Sequence, residues 1–527
     1  MSSRLESPTY LKPLLVAASI VFGIVLVYWL TPYYTTQIAW EVRKSLFWTV
    51  PLLLAIVLAV ASLMATDEFD GITFPSFLLG AGSVLSLLWM FGYGILYHGY
   101  QQDQVYAQSL HVTSDHVPEM SIRTPYSVAQ AQSRTTLTNT PGADLLSDST
   151  MFDPAQDDFT TLAKGRSLLG NYAAVAVQHF PLTGRSKGTQ CDFSSQAQRA
   201  MGGWFTHNLG RLINETERGV NWSESDAYGL CKQDGTPLVV VPLKRQVGWM
   251  VVTEVPAGVA LYDGHSGQVS IETDTSKVTG TVYPLSLAEK QRESSTATGS
   301  WMQWLRNQIG WKAAEGEVNT SNSSEFVLGY KDGGIAYATP LSNQGNSTGI
   351  AAISVMRASS SAEDRLNPIE VHTLSPAWVS IDAIESRIKA DYQDIPNWQT
   401  LHVQEIAPIN GNRWIATLGN DQNTLYRVEG TGDLSQFPGT SDPSTATCLF
   451  QGTDTQPRRC GTLALVGGNG IGGQYGPGVP GGNPVAPPAE ATGTPSLSDM
   501  SDQQLADLLR HIADEINRRA SVPKPGR

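Results

Sequence analysis

Two side chains of this sequence have the types that nucleophilic catalysis needs. Cys191, in GTQCDFSSQAQRAMGGW, precedes a stretch readable as a helix, whose positive end would hold the thiol as thiolate. His265, in YDGHSGQV, offers an imidazole on a downstream strand to complete a Cys–His pair able to attack an amide. Two features oppose that reading. YDGHSG has the composition of a hairpin turn, and Cys231 is available as a disulfide partner that would consume the nucleophile. The four cysteines fall into two sequence-local pairs, Cys191 with Cys231 and Cys448 with Cys460, which suits disulfides in an oxidising compartment.

Other constellations carry less. His111, Asp115, His116 and Glu119 have metal-ligating side chains, but no second cluster joins them and H-E-x-x-H is absent, so solvated polar residues explain them and no metal is expected. Gly468, Gly470 and Gly473, in LALVGGNGIGGQYG, fall on the G-x-G-x-x-G spacing of a dinucleotide turn. They run into PGVPGGNPVAPP, where proline removes backbone donors and no helix can start, and Glu490 lies in the same stretch with no second strand to hold it. The glycines therefore begin a leash, and no cofactor is expected.

The elements that must position these residues start with three uncharged apolar runs, Pro13 to Leu30, Leu46 to Ala65 and Phe74 to Tyr97. Each is about long enough to cross a hydrocarbon core of about 30 Å as a helix. The first lacks a small-x-small cleavage site and reads as a retained anchor. Charged residues make up 16% of the 527, below the roughly 25% of soluble proteins, and the apolar runs account for much of the deficit. Basic residues do not orient the chain: Arg4 and Lys12 precede the first span, and Arg43 and Lys44 lie in the expected first loop. The cysteines decide it, placing residues 1–12 in the cytoplasm, a three-helix transmembrane region at 13–98 in the plasma membrane, and the large domain outside. Most of the net charge of −13 falls on that domain, and no Lys/Arg cluster supports nucleic-acid binding.

Beyond the spans, residues 99–159 read as a stalk and extended segment. Alternating helical and strand-like patterns follow, giving a first α+β module at 160–295 and a second α+β region, of one or two modules, at 296–465. PLVVVPLKRQVGWMVVTEVPAGVALYDGHSGQVSIET predicts four short strands with turns near Lys244-Arg245, Pro256-Ala257 and Asp263-Gly264. VSIDAIESRIKADY predicts a helix with Ile381, Ile384, Ile388 and Tyr392 on one face. Short hairpin connections give the fold class α+β, with two or three modules of helix on antiparallel sheet. Residues 466–495 are a Gly/Pro-rich linker, and 496–520 an amphipathic helix capped by Ser501 with Gln504, before a disordered tail at 521–527. Its stripe of Leu505, Leu508, Leu509, Ile512 and Ile516 is marginal alone in water, and is expected either to fold back on its own domain or to grip a protein partner or a second copy.

Two resemblances bear on function. The Cys191 and His265 fragments resemble the cysteine and histidine motifs of CHAP-type amidases, over a handful of residues, and imply a membrane-anchored cysteine amidase or peptidase acting on cell wall. RTPYSVAQAQSRTTL and LKRQVGWMVVTEVPAGVALYDGHSGQV resemble parts of uncharacterised multi-pass membrane proteins of actinobacteria and their phages and plasmids, which implies a bacterial envelope protein and no particular site residues. The leading expectation is a non-enzymatic, membrane-anchored extracytoplasmic interaction or scaffold protein, encoded by a mobile element and serving conjugation or phage exclusion. The cysteine hydrolase is its alternative.

Overall fold

The chain folds as α+β: N-terminal helices followed by antiparallel sheets. A computed structural model describes residues 11–462, apart from 69–73, 96, 138–141, 147–148, 154–157, 167–171, 182–187, 202–207, 315, 317, 319–325, 332, 421–422, 442–444 and 453. The Gly468, Gly470 and Gly473 stretch and the segment expected to be a helix, with Leu505, Leu508, Leu509, Ile512 and Ile516, lie outside the described residues.

Helices α1 (Leu11–Leu30), α2 (Pro32–Glu68) and α3 (Phe74–Trp89) come first, α3 continuing through a π-helical turn, Met90–Ile95, towards α4 (His98–Ala107). Among the described residues two stretches are long and apolar enough to cross a membrane, Pro32–Met64 and Ser76–Ala107, and Ala18–Leu30 is a shorter apolar helix. Small residues bring α2 and α3 together: a Cβ on Gly82 would lie 3.1 Å from Leu58, and the Ser83 and Ser86 hydroxyls donate to the carbonyls of Ala55 and Pro51 at 2.9 and 2.6 Å. The loop expected to hold Arg43 and Lys44 does not exist, because α2 begins at Pro32 and runs through both. Proline suits a first helical turn, where its missing N–H is no loss.

After α4 come β1 (Leu110–Thr113) and α5 (Tyr126–Thr136), so the expected stalk holds regular structure. Strands β2 (Ala143–Leu145), β3 (Met151–Asp153), β4 (Asp158–Arg166), β5 (Tyr172–Pro181) and β6 (Thr189–Asp192) make the first antiparallel sheet. Helix α6 (Leu209–Thr216) leads to the second, of β7 (Val220–Asn221), β8 (Tyr228–Cys231), β9 (Pro237–Val247), β10 (Thr253–Asp263) and β11 (Val269–Glu272). Then α7 (Leu285–Glu293) and α8 (Trp301–Leu305) precede β12 (Trp311–Ala313), β13 (Phe326–Gly329), β14 (Ile335–Asn343), β15 (Ile350–Arg357) and β16 (Ile369–Trp378). These five, with β1 parallel to β16 at the edge, form the third sheet. The fourth follows α9 (Ile381–Tyr392) as a meander of β17 (His402–Asn410), β18 (Arg413–Asn420), β19 (Asn423–Thr431), β20 (Thr445–Gln451) and β21 (Arg459–Thr462).

Apolar faces weld the sheets in pairs. Leu162 and Val177 of the first sheet share a core with Val239, Val241 and Ala260 of the second. The second meets the third through Val240, Val259, Tyr337 and Ala352. The third meets the fourth through Ile353, Trp378, Ile406 and Trp414, where α9 buries Ile381, Ile384, Ile388 and Tyr392 completely. That helix begins where expected, with the Ser380 side chain accepting from the Ala383 N–H.

The segment around Lys244 departs from expectation. The anticipated turns at Lys244-Arg245 and Pro256-Ala257 are absent; β9 and β10 run unbroken through both, with only a register shift between Pro256 and Val259. The two cations stay in the strand because each finds acidic partners: Lys244 faces Glu254 and Asp226, while Arg245 faces Glu217, Glu363 and Asp364. The turn instead falls at 248–252, where Gly248 takes φ 87° and a Cβ would lie 2.0 Å from the Val251 carbonyl oxygen. The expected turn at Asp263-Gly264 is present, with Asp263 accepting from the His265 and Ser266 N–H groups.

Candidate functional site

A group of buried charge drawn from several elements lies where the N-terminal helices meet the second sheet. One stripe of α2 carries Tyr33, Gln37, Trp40, Lys44 and Phe47, spaced three or four residues apart. Tyr33 packs so closely on α6 that a Cβ on Gly210 would lie 2.5 Å from its ring. Gln37 and Asn221 exchange amide hydrogen bonds of 2.7 and 3.2 Å. Trp40 is buried, and its carbonyl accepts from the Gln246 side chain at 3.1 Å. Arg43, beside the stripe, donates to the carbonyls of Gln246 and Gly248 at 3.0 and 2.7 Å.

Lys44, the next member of this row, lies against Glu254, 3.2 Å away. Glu254 also faces Lys290 of α7 at 3.5 Å and Lys244 at 3.6 Å, so a single carboxylate holds ammonium groups from three elements. Burial alone raises the Glu254 pKa; Lys244, Lys290 and Lys44 outweigh it and hold the carboxyl below its ordinary value. Burial lowers the Lys290 pKa, opposed by Glu254. Asp226 completes the cluster 4.0 Å from Lys244, accepting from the Ser286 N–H and hydroxyl at 2.8 and 2.6 Å and so capping the first turn of α7. Its carboxyl is raised by burial despite Lys244.

Helix α4 closes the same junction from the other side. His98 stacks on Phe47 with ring centroids 3.6 Å apart, and its Nε2 bonds the Met250 carbonyl oxygen at 2.9 Å. Gln102 donates to the Val252 carbonyl at 2.6 Å, and the Tyr106 hydroxyl accepts from the Glu254 N–H at 2.6 Å. Asp103 accepts from the Trp304 indole at 2.9 Å. The polar and aromatic groups mate in both directions, an arrangement that fixes helices on a domain.

The other candidates lie elsewhere. Cys191 sits in β6 opposite Val177, and residues 195–197 form a turn where a helix was expected. Its sulfur is bonded to Cys231 at the end of β8, with Cα atoms 6.1 Å apart, which staples the first sheet to the second. The His265 turn is a neighbour of that strand: Ser194 donates from its N–H to Gly264 and from its hydroxyl to the His265 carbonyl, both at 2.9 Å. The sequence fragments thus do meet, but the sulfur that would be the nucleophile carries no thiol. Cys448 and Cys460 join opposite each other across β20 and β21.

His111, Asp115 and His116 are exposed, and Glu119 pairs with Lys331. Among the described residues no three His, Cys, Asp or Glu side chains are grouped as metal ligands. A cleft of about 760 Å³ opens beside Glu119, Lys331, Arg357 and Glu370. Its charged side chains have neighbours within the protein: Glu119 pairs with Lys331, Glu370 lies 3.5 Å from His372 Nε2, and Arg357 lies over the Tyr330 ring. Comparison of the chain with family models, with curated proteins and with solved structures found no match.

Sequence reasoning missed the junction. The α2 stripe mixes aromatic and polar residues and so lacks an apolar period, but its three-or-four spacing from Tyr33 to Phe47 was a usable signal.

Proposed function

We propose that this chain is a three-span membrane protein whose acidic extracytoplasmic domain, seated rigidly on its own helices, scaffolds an interaction at a bacterial cell envelope. The observation that carries the reading is the double docking of the helices. Residues 31–47, between the first and second apolar runs, and α4, after the third, bind the same sheet. Both then lie on the domain's side of the membrane. A path of three spans satisfies this, with residues 1–10 and 69–73 on the opposite side.

Dimensions support it. With residues 32–47 engaged by the domain, roughly 21 residues of α2 remain, about 31 Å of helix, which matches a hydrocarbon core of about 30 Å. Exposed large apolar side chains crowd into residues 16–97; beyond these, among the described residues, there are Val112, Ile122, Trp249, Met250, Met302, Leu305 and Leu425. Burial is worth about 1.5–3 kcal/mol for each such side chain. Leaving the whole set in water would cost tens of kcal/mol, against a net stability of about 5–15 kcal/mol for a domain. Two cysteine pairs at bonding distance favour the oxidising side for the domain.

In this reading the helix at 496–520, on its leash, is the contact for a protein partner or a second copy. Affinity capture from membranes, with the full chain and with a chain ending at residue 495, tests it. Co-purifying partners or dimers that vanish on truncation support the role; identical profiles remove that helix from it.

A further inference from the structure

We propose that the hairpin tip between β9 and β10, together with α8, forms an interfacial collar that inserts Trp249, Met250, Met302 and Leu305 into the headgroup and upper acyl layer of the membrane crossed by α2 and α3. The collar rests on the membrane reading above. Trp249 is 80% exposed, more than any other large apolar side chain among the described residues, and its neighbour Met250 is 43% exposed. A tight turn presents them: Gly248 holds a positive φ that a side chain would block against Val251. In α8, Met302 and Leu305 stand three residues apart on one face, 43% and 47% exposed, while Trp301 and Trp304 turn inward.

Both elements are pinned where the apolar helices leave the bilayer. The Gly248 carbonyl is held by Arg43 and the Met250 carbonyl by His98, whose ring lies on Phe47. The Trp304 ring lies 3.3 Å from where a Cβ on Gly99 would stand, and its centroid is 5.8 Å from that of Tyr100. Trp301 lies 6.3 Å from Tyr97, the last residue of the third apolar run. Among the described residues, four of the seven large apolar side chains exposed beyond residue 97 therefore belong to elements that contact the two proposed membrane exits. Trp is favoured at that depth because its ring is apolar and its N–H is wet. Arg306, exposed just after Leu305, is placed to reach lipid phosphates while its stem stays in the apolar layer. The occupant is lipid, because these side chains continue the apolar surface of α2 and α3.

The test uses the full chain in nanodiscs, with an environment-sensitive fluorophore on Trp249→Cys or Met302→Cys and spin-labelled lipids carrying the label near the headgroup or deep in the acyl chain. The native cysteines are paired and do not compete for the label. Leu54→Cys, on an exposed apolar position of α2, reports the membrane reading itself. The collar predicts blue-shifted emission at 249 and 302, quenched at least twofold more by the shallow label than by the deep one, with the reverse order at 54. Water-like, unquenched emission at 249 or 302 with quenching at 54 overturns the collar and leaves the anchor standing, as does deeper quenching at 249 than at 54. Absence of quenching at 54 overturns the anchor and the collar together.

Discussion

The two halves of α2 share one helix and have opposite surroundings. One face of residues 32–47 lies against protein, with Tyr33, Gln37, Trp40 and Lys44 each matched to a partner on α6 or the second sheet. The half beyond carries Leu53, Leu54, Ile56, Val57, Val60 and Leu63 with their surfaces bare, apart from its contact with α3. Hydrogen bonds and ion pairs specify the docked half, because they have geometry. Under the proposed membrane reading apolar surface suffices for the other, because lipid imposes no such geometry.

Substitutions that cross the boundary break the comparison. The largest effect is expected at Glu254, where Glu254→Gln leaves three ammonium groups around a neutral amide; losing one partner of a buried pair costs about 3–5 kcal/mol. Thermal unfolding of the detergent-solubilised chain should fall accordingly, with α2 becoming accessible to protease at residues 31–47. Leu54→Lys attacks the bare half and should cost about 2.5–3.5 kcal/mol of insertion, read as loss from the membrane fraction. The same lysine at Ile38, exposed in the docked half, should change stability by less than about 0.5 kcal/mol. Equal effects at 54 and 38 would erase the distinction. Lys44→Met is smaller than Glu254→Gln, about 1 kcal/mol or less, since Lys44 is more than a third exposed and water screens its pair.

Acidification sharpens the assignment to Glu254. Its pKa lies below the ordinary 4.5 in the folded chain, so its contribution is complete above that value and is lost as pH falls through the lowered pKa. Asp226, raised by burial, has the opposite sign: stability is gained as pH falls through its raised pKa, and the gain is complete by its ordinary value. The melting-temperature gap between native protein and Glu254→Gln should therefore close below pH 4.5, because both chains retain Asp226. A gap unchanged down to pH 3 would place the stabilisation elsewhere.

The disulfides bear on the hydrolase alternative. Intact, non-reduced protein should take up no thiol reagent, and a freely labelled Cys191 would restore a nucleophile beside the His265 turn. Removing the Cys191–Cys231 link should cost about 4 kcal/mol against about 3 kcal/mol for Cys448–Cys460 in the loop-entropy account, since it closes a separation of 40 residues and the other closes 12.

Features with a local signature were legible in the sequence. Ile381, Ile384, Ile388 and Tyr392 announced α9 by spacing alone, the Asp263-Gly264 turn fell where expected, and the two cysteine pairs were near in sequence. Features settled at long range were not. Lys244 and Arg245 looked like a turn because nothing nearby shows that Asp226, Glu254, Glu217 and Glu363 wait for them. Arg43 and Lys44 looked like a loop because their charge interrupts the apolar pattern, although in the fold that charge is what docks the helix. Cys191 was expected to open a helix, and instead β5 draws it into a strand by pairing with Val177.

The central claim is that the domain and the α1–α2 junction share one side of a membrane while the α2–α3 connection lies on the other. Labelling of Leu425→Cys, Thr35→Cys and Gly71→Cys with an impermeant maleimide, on intact spheroplasts and after lysis, tests it directly. The account predicts that 425 and 35 label in intact spheroplasts and 71 only after lysis. Labelling of 71 in intact spheroplasts with 425 protected would contradict it.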